Sequence, residues 1–422
     1  MSSVKDWTPI GNATFAVVSN KLTVTGPMFT GRFNGQGYKI RNFKAVSKVA
    51  ETGSTFGLFG VIGPGSVVEN FIFESSCSLT VQSPAKSTSH GLIAGLLLRR
   101  NRRDVHSYAP MTFQSKTGVK NAAQFMALIG YVFTQNAEVT IDSVDNFGEI
   151  IAENADGNDQ GGANAFHIAG IVGFSTATVD TQHFVTISDC SNEGNMTSAT
   201  CRTSGICAAA NRRTKMVNCI NKGNQLNSCP GPDKGRIANI ACNVANVSSM
   251  TGCVNYGDII STTSARTAGI ANLSNNCEFT NCANYGNVQS DNKYRGLFWA
   301  YNNGLASWSS CVAGGTVGTY NDGKGVADEY TDAAKVNYLG VQGASKTTLN
   351  DITYLIGVKD PEPPVESNAK LKILFIGNSF TKDAVEHIPG LLAAAGIKDI
   401  KLYHMYYGGR RVYEYKDGYT SS

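Results

Sequence analysis

The sequence predicts a mainly β fold, a parallel β-helix or solenoid, followed by a partial α/β segment at the C-terminus. Three observations lead to this prediction. A Cys-x-Asn-x-Gly motif recurs about every 30 residues, a short Gly-apolar motif alternates with it, and the sequence changes character after a Pro-rich stretch. Periodicity of this length is typical of stacked repeat architectures.

Five segments align on the first motif, and a weaker sixth copy runs from Ser310 to Val317. The shared pattern continues with an apolar residue, and Val144 takes the cysteine position in the first copy. The cysteines of the other copies are spaced by 29, 34, 29 and 29 residues and are Cys190, Cys219, Cys253, Cys282 and Cys311.

Each repeat is too short to bury a face alone, so we expect the repeats to stack at the strand spacing, with equivalent positions above one another. The Cys column then fills the interior as reduced, structural side chains. The Asn column lies at a turn, where Asn tolerates left-handed geometry and stacked amides bond along the axis. The Gly column, two residues later, supplies a positive φ.

The second motif is a glycine followed by apolar residues. We expect it to contribute further strands to the same stack, including earlier relatives at Phe56–Gly60, Gly91–Gly95 and Ala127–Gly130. The later copies begin at Ala169, Ser204, Ala268 and Arg295.

Composition excludes several classes. The net charge of +4 and the charged fraction of 16% argue against a dedicated nucleic-acid binder, whose basic excess is larger and clustered. The longest apolar run, Gly91–Leu98, is far shorter than the ~20 residues of a membrane span. The N-terminus has no apolar signal region as written. Among the 11 cysteines, no C-x-x-C pair has zinc-finger spacing, so neither a metal nor a cofactor is predicted.

The N-terminal sequence carries a resemblance. Trp7-Thr8-Pro9-Ile10-Gly11, followed by the glycine- and aromatic-rich stretch from Phe29 to Ile40, resembles the entry of bacterial GLUG-type β-solenoids. The resemblance covers roughly residues 7–318. It implies a right-handed solenoid of the kind found in secreted bacterial surface proteins, and similar β-helices occur in phage tail spikes.

After the acidic, Pro-rich segment 359–367, Lys372–Ile376 reads as a strand buried on both faces. A turn follows at 377–381, then a helix from Asp383 to Ala395 that ends at Gly396, then a second strand at Ile400–Met405 and a turn at Gly408. This β-α-β order predicts the start of an open parallel α/β, flavodoxin-like domain.

Ile376-Gly377-Asn378-Ser379-Phe380 resembles the first sequence block of SGNH (GDSL-like) hydrolases, with Asn378 where many members have Asp. The resemblance implies that Ser379 is the nucleophile, and that its N–H and that of Gly408 or Gly409, in the second block, form the oxyanion hole. The C-terminal D-x-x-H of that family has no counterpart here, so Ser379 lacks its base and the chain as given is expected to be inactive as a serine esterase.

His387 lies one helical turn from Asp383, and we interpret it, like His404 on the second strand, as structural rather than catalytic. Arg99, Arg100, Arg102 and Arg103 form a basic cluster that could contact an anionic polymer, but we interpret it as a solvated loop between repeats. The segment Asp156–Asp159 has oxygen donors for Ca²⁺ but lacks a full twelve-residue loop.

Carboxylates such as Asp142, Asp145 and Glu149 occur near repeat turns, and no pair stands out as the two acids of a glycosidase. Tyr256 and Tyr285 occupy equivalent repeat positions, so we expect their rings to stack at an edge. Such a row either binds sugar rings or packs the edge.

These observations predict four segments: an N-terminal cap and entry coil at 1–50, β-helix repeats at 51–318, a capping segment and linker at 319–369, and an incomplete SGNH-like segment at 370–422. The function predicted is surface recognition outside the cell or on a virion. The protein would be a phage tail fibre or spike that contacts bacterial surface polysaccharide, as a homotrimer or with other virion proteins. Two alternatives are a secreted bacterial adhesin whose signal was removed, and a β-helix polysaccharide hydrolase or lyase.

Overall fold

A computed structural model describes residues 7–82, 87–98, 102–114, 123–153, 165–229, 235–263, 265–292, 295–302, 306–315, 317–318, 337–338, 371–377, 400–408, 411–414 and 419–420. The chain divides into two compact units, Met1–Ala344 and Ser345–Ser422. The first unit is built from β-strands, and no helix occurs among its described residues.

Four sheets with parallel pairing, sheets I to IV, make up the first unit. Sheet I contains Arg32–Ile40, Val67–Phe73, Arg102–Ser107, Val144–Asn146, Ser191–Asn192, Ile220–Asn221, Val254–Asn255, Ala283–Asn284, Val312–Ala313 and Asn337–Tyr338. Sheet II contains Lys44–Ser47, Ser78–Val81, Met111–Gln114, Ile150–Glu153, Met196–Ser198, Gln225–Asn227, Ile259–Ser261, Val288–Gln289 and Val317–Gly318.

Sheet III contains Thr55–Phe56, Phe59–Ile62, Thr88–Leu97, Gln124–Thr134, Phe166–Ala169, Val172–Ala177, Arg202–Ser204, Arg236–Ala238, Arg266–Ala268 and Arg295–Gly296. Sheet IV contains Val139–Asp142, Val185–Ser188, Thr214–Val217, Ala241–Thr251, Ala271–Thr280, Trp299–Asn302 and Ala306–Ser309.

The chain visits the sheets in a fixed order. From Val139–Asp142 in sheet IV it passes through sheets I, II and III and returns to sheet IV at Val185–Ser188. One such passage is here called a coil. Each strand therefore pairs with its equivalent in the next coil, as in Ile187 opposite Met216. The mainly β, parallel part of the fold prediction is confirmed.

The repeat columns of sheet I are in register, as predicted. Each motif cysteine is buried with a free thiol, and the thiol of Cys253 donates to the backbone carbonyl of Met216 at 3.6 Å. Burial raises the pKa of Cys253 well above its ordinary value, so this thiol is neutral. In the earlier coils the cysteine position is occupied by Phe71, Val105 and Val144, which are buried in the core.

The backbone conformation of the Asn and Gly columns differs from the predicted left-handed geometry. Neither the motif asparagines nor Gly194, Gly223 and Gly257 have positive φ, whereas Gly315, in the weaker sixth copy, has the predicted positive value of 84°. A Cβ on Gly223 would instead lie 2.1 Å from the carbonyl oxygen of Gly194, so glycine is required by close backbone approach between coils.

The left-handed turn lies one residue before the cysteine position. Residues there have φ between 51° and 76°. Asn, Asp, Ser and Gly tolerate that conformation because short polar side chains bond locally or the Cβ is absent. From Ser143 onward this column turns the chain from sheet IV into sheet I, at Ser143, Asp189, Asn218, Gly252, Asn281 and Ser310. Its earlier members, Gly37, Asn70 and Asp104, lie within sheet I strands.

An antiparallel hairpin, Thr14–Val18 with Lys21–Thr25, packs on the outside of sheet III. The ring of Phe15 lies 5.5 Å from that of Tyr131, which stacks in turn on Phe125. A second apolar cluster thus lies beside the main core that the sheets enclose.

In the second unit, Leu371–Gly377 pairs in parallel with Ile400–Gly408, as the predicted strands require. Arg411–Glu414 and Tyr419–Thr420 pair with Ile400–Gly408 in antiparallel fashion. The predicted helix from Asp383 to Ala395 lies outside the described residues.

Candidate functional site

The most distinctive surface of the described residues is an outward-facing column beside the Asn column. Its members are the residues that follow Ile40, Phe73, Ser107 and the five motif asparagines, positions that the sheet I pairing aligns coil by coil. This outer column consists of Arg41, Glu74, Tyr108, Phe147, Glu193, Lys222, Tyr256 and Tyr285.

Side chains of the outer column associate in successive pairs. Arg41 Nε lies 2.7 Å from Glu74 Oε2, and Lys222 Nζ lies 2.8 Å from Glu193 Oε1. Hydrogen bonds from Arg41 and then Lys39 hold the pKa of Glu74 below its ordinary value. Ion pairs and aromatic pairs therefore alternate along the column.

The two aromatic pairs stack along the axis. Tyr108 and Phe147 have ring centroids 4.7 Å apart and planes 11° apart, and Tyr108 is 48% exposed. Tyr256 and Tyr285 have centroids 5.3 Å apart and planes 27° apart. The predicted stacking of Tyr256 on Tyr285 is confirmed, and both tyrosine side chains are half-buried.

The neighbouring Asn column holds this surface rigid. Asn221 Nδ2 donates to Asn255 Oδ1 at 2.9 Å and to the carbonyl of Gly223 at 2.8 Å, and Asn192 and Asn255 repeat the pattern. The N–H of Tyr256 donates to the carbonyl of Asn221 in the preceding coil. Buried, fully bonded amide networks rigidify the backbone that carries them.

Only one of the two aromatic pairs of the outer column can be recognised from the repeat motif. The Tyr256 and Tyr285 pair follows two motif asparagines and is visible in an alignment of the repeats. The residue before Tyr108 is Ser107, where the motif has Asn. The Tyr108 and Phe147 pair therefore carried no motif signal.

The predicted esterase residues fall where little is described. Asn378, Ser379 and Gly409 lie outside the described residues, as does His387. Gly408 is the last residue of the strand Ile400–Gly408. The carboxyl ends of the two parallel strands, at Gly377 and Gly408, lie at the same edge of the second unit's sheet.

The solenoid carboxylates near the repeat turns serve as hydrogen-bond acceptors within the fold. Asp145 accepts from the N–H and Oγ of Ser191 and lies 3.0 Å from His106 Nδ1. Asp142 Oδ1 accepts from Ser188 Oγ at 3.0 Å. These two carboxylates stabilise contacts between coils.

One Ser–His contact is sealed in the core. Ser47 Oγ lies 3.0 Å from His90 Nδ1, and Thr88 Oγ1 lies 2.9 Å from the Nε2 of the same ring. All three residues are fully buried, and burial lowers the pKa of His90 to about 3. The ring is neutral and has no route to a substrate, so the contact is structural.

The basic cluster near residue 100 was predicted to be a solvated loop, and this is wrong for two of its four arginines. Arg102 and Arg103 belong to the sheet I strand Arg102–Ser107, where they pair with Val68 and Glu69, and not to a loop. Arg99, Arg100 and the segment Asp156–Asp159 lie outside the described residues. Within the described ranges no group of His, Cys, Asp or Glu side chains is arranged to hold a metal ion.

No described helix is long and apolar enough to cross a membrane. Comparison of the chain with protein-family models, curated proteins and solved structures returned no match.

Proposed function

We propose that the chain is a right-handed parallel β-helix that recognises bacterial surface polysaccharide through the outer column, as a tail fibre or spike does outside the cell or on a virion. The observation that carries this proposal is the alternation of stacked aromatic pairs with ion pairs on one exposed column. Aromatic faces bind the apolar faces of sugar rings, and flanking charged groups bond to hydroxyls.

Rigidity supports the same proposal. The aromatic pairs are fixed by backbone and Asn bonds between coils, so little side-chain entropy remains to be lost on binding. Repeated contacts along one axis suit a linear polymer with its own repeat. A homotrimer, in which three copies present three such columns, adds avidity.

The test is binding to immobilised bacterial capsular and lipopolysaccharide glycans. The double substitution Tyr256→Ala and Tyr285→Ala is expected to weaken binding about tenfold, the effect of ~1.4 kcal/mol. Tyr38→Ala is the matched control, because Tyr38 is 74% exposed but lies off the outer column. Unchanged binding by the double variant, with its thermal midpoint intact, would contradict the proposal.

We further propose that residues 370–422 belong to an SGNH-type esterase segment in which Ser379 is the nucleophile. The parallel pairing of Leu371–Gly377 with Ile400–Gly408 supports it, because Gly377 and Gly408 then lie at the carboxyl edge where α/β folds place their sites. Since the chain as given lacks the family's base, the test compares the slow residual hydrolysis of the activated ester p-nitrophenyl acetate by Ser379→Ala and Thr381→Ala, and only Ser379→Ala is expected to lower it. Equal rates for the two variants would remove Ser379 from the mechanism.

A further inference from the structure

A flanking column lies next to the outer column on the surface of the solenoid. Its members precede the sheet II strands and are aligned by the pairing of those strands from coil to coil. Each member also follows a residue of the outer column by two positions, and the residue between them is buried. The two columns therefore share one outward face. The flanking column consists of Pro110, Glu149, Asn195, Asn224, Asp258 and Asn287.

Carboxylates in the flanking column occur only beside the aromatic pairs. Glu149 follows Phe147 of the first pair, and Asp258 follows Tyr256 of the second. The two coils between the pairs carry asparagine at this position. In the flanking column an acidic group therefore stands beside each aromatic surface and not between the two.

The two carboxylates are placed to accept hydrogen bonds from a ligand. Asp258 is half-buried, and its Oδ1 accepts from the N–H and the Nδ2 of Asn287 at 2.8 and 3.0 Å. Both bonds use the same oxygen, so Asp258 Oδ2 is left to accept from a bound molecule. Glu149 is exposed, and within the described ranges its carboxylate enters no ion pair or hydrogen bond. Bonds from hydroxyls to a carboxylate are charge-assisted and stronger than those between neutral groups.

The charge around the aromatic pairs is negative. Along both pairs and the coils between them, the outer and flanking columns contain one cation, Lys222, which is already paired with Glu193 at 2.8 Å. The carboxylates of Glu149 and Asp258 have no counter-charge in either column. An acidic group on a bound sugar would therefore meet like charge at close range. Unfavourable contacts of this kind allow a binding surface to reject a wrong partner.

We propose that Glu149 and Asp258 determine which glycans the aromatic surface binds: neutral, hydroxyl-rich sugars are accepted, and sugars that carry acidic groups are rejected. This inference rests on the proposed binding of glycan by the outer column. A pyranose that stacks on an aromatic ring presents its edge hydroxyls to the neighbouring carboxylate, whereas a uronic acid presents a second negative charge. The substrate class is thus a neutral polysaccharide.

The experiment uses acidic capsular glycans in two forms, native and carboxyl-reduced. Reduction converts each uronic acid carboxylate to a primary alcohol and leaves the rest of the polymer unchanged. The whole chain is expected to bind the reduced form at least about tenfold more tightly than the native form at constant, low ionic strength. The double substitution Glu149→Gln and Asp258→Asn removes both charges but keeps an acceptor oxygen in each side chain. It should bring the two affinities within about threefold of each other.

Glu153→Gln with Glu278→Gln is the matched control. It changes the net charge equally, at two exposed carboxylates that belong to neither column, one in sheet II and one in sheet IV. This control should keep the preference for the reduced glycans. Because the Oδ1 of Asp258 bonds to the next coil, Glu149→Gln alone serves if the double variant does not fold, and its preference should fall about threefold.

Tighter binding of the native acidic glycans, or an unchanged preference in the Glu149 and Asp258 variants, would overturn the selectivity and leave glycan binding itself intact. Binding of neither form of any glycan would overturn the proposed function and this selectivity with it. A preference that the control also loses would depend on the net charge of the chain, and would overturn the role of these two carboxylates.

Discussion

The early and late coils hold the same sheets together by different means. In the early coils, sheet I fills the interior with large rings, as where Phe73 lies between Phe43 and Phe71. In the late coils the equivalent positions carry cysteine and asparagine, such as Cys219 and Asn221. In sheet I, apolar packing therefore fills the early coils, whereas the late coils add a chain of buried hydrogen bonds to an apolar core that continues through both.

The early and late coils should also differ in how well they tolerate substitutions. Apolar packing is non-directional, and a core of adequate volume accepts many substitutions. An amide column is directional, and each Asn from Asn192 to Asn284 is both donor to one coil and acceptor from another. A defect in the late coils should therefore affect two neighbours at once.

The largest expected effect comes from a methyl group between late coils. Gly223→Ala places a Cβ 2.1 Å from the Gly194 carbonyl oxygen, which the laddered backbone cannot move without breaking bonds on both sides. We expect a loss of more than ~3 kcal/mol, at the upper end of overpacking effects. Urea unfolding monitored by circular dichroism measures it.

Gly65→Ala in the early coils is the matched control. Gly65 has φ +81° but open space around its missing Cβ, so only backbone strain of ~1–2 kcal/mol is expected. Similar losses for the two variants would show that close approach between coils is not what requires glycine in the repeat.

The next effect compares the two kinds of core directly. Asn221→Ala removes the three hydrogen bonds that Asn221 makes with Asn192 Nδ2, Asn255 Oδ1 and the Gly223 carbonyl. At ~1 kcal/mol or more for each buried group, the loss is roughly 3 kcal/mol. Hydrogen exchange should lose protection in both neighbouring coils, at the amides of Glu193 and Tyr256.

Phe73→Ala is the counterpart in the early coils and should cost ~3–5 kcal/mol as a cavity. Its loss of protection should be concentrated around the rings it contacts, Phe43 and Phe71. If Asn221→Ala affects only its own coil, the late coils are not coupled through the amide column.

The packing of the late coils could be predicted better from the sequence than that of the early coils. Cys219 and Asn221 recur at a fixed spacing, and a recurring polar residue in a stack has few places to lie except a bonded column. The position of Gly223 was also visible, but its cause was not, because a spacing does not distinguish positive φ from close approach. The left-handed turn at Asn218 was missed, since four residue types share that position.

The sequence carries weaker signals for the early coils of sheet I and for the residue pairing in sheet III. Phe73 and Ser107 replace the motif Asn, so Tyr108 could not be aligned with Phe147 from the sequence. Arg202 and Arg236 pair in sheet III, but they precede the Gly-apolar motif and the spacing between coils varies there. Pairing in three dimensions, rather than periodicity, determines those neighbours.

The smallest effect is a pH dependence centred on the early coils. Burial lowers the pKa of His90 to about 3, below the ordinary value of 6.5 expected in the unfolded chain. The unfolded state therefore takes up a proton as pH falls through 6.5, while the native state does not do so until near pH 3. The stability due to neutral His90 is complete above pH 6.5 and is lost toward pH 3, at about 1.4 kcal/mol per pH unit.

By pH 5 the loss should be ~2 kcal/mol. His90→Gln keeps groups that can bond to Ser47 and Thr88 but cannot be protonated, so between pH 6.5 and 5 its stability should fall less steeply than that of the wild type by one proton's contribution. Urea midpoints at a series of pH values measure the two slopes. Identical slopes would mean that the early coils already admit water to His90, and that the late, hydrogen-bonded coils are the better sealed half of the protein.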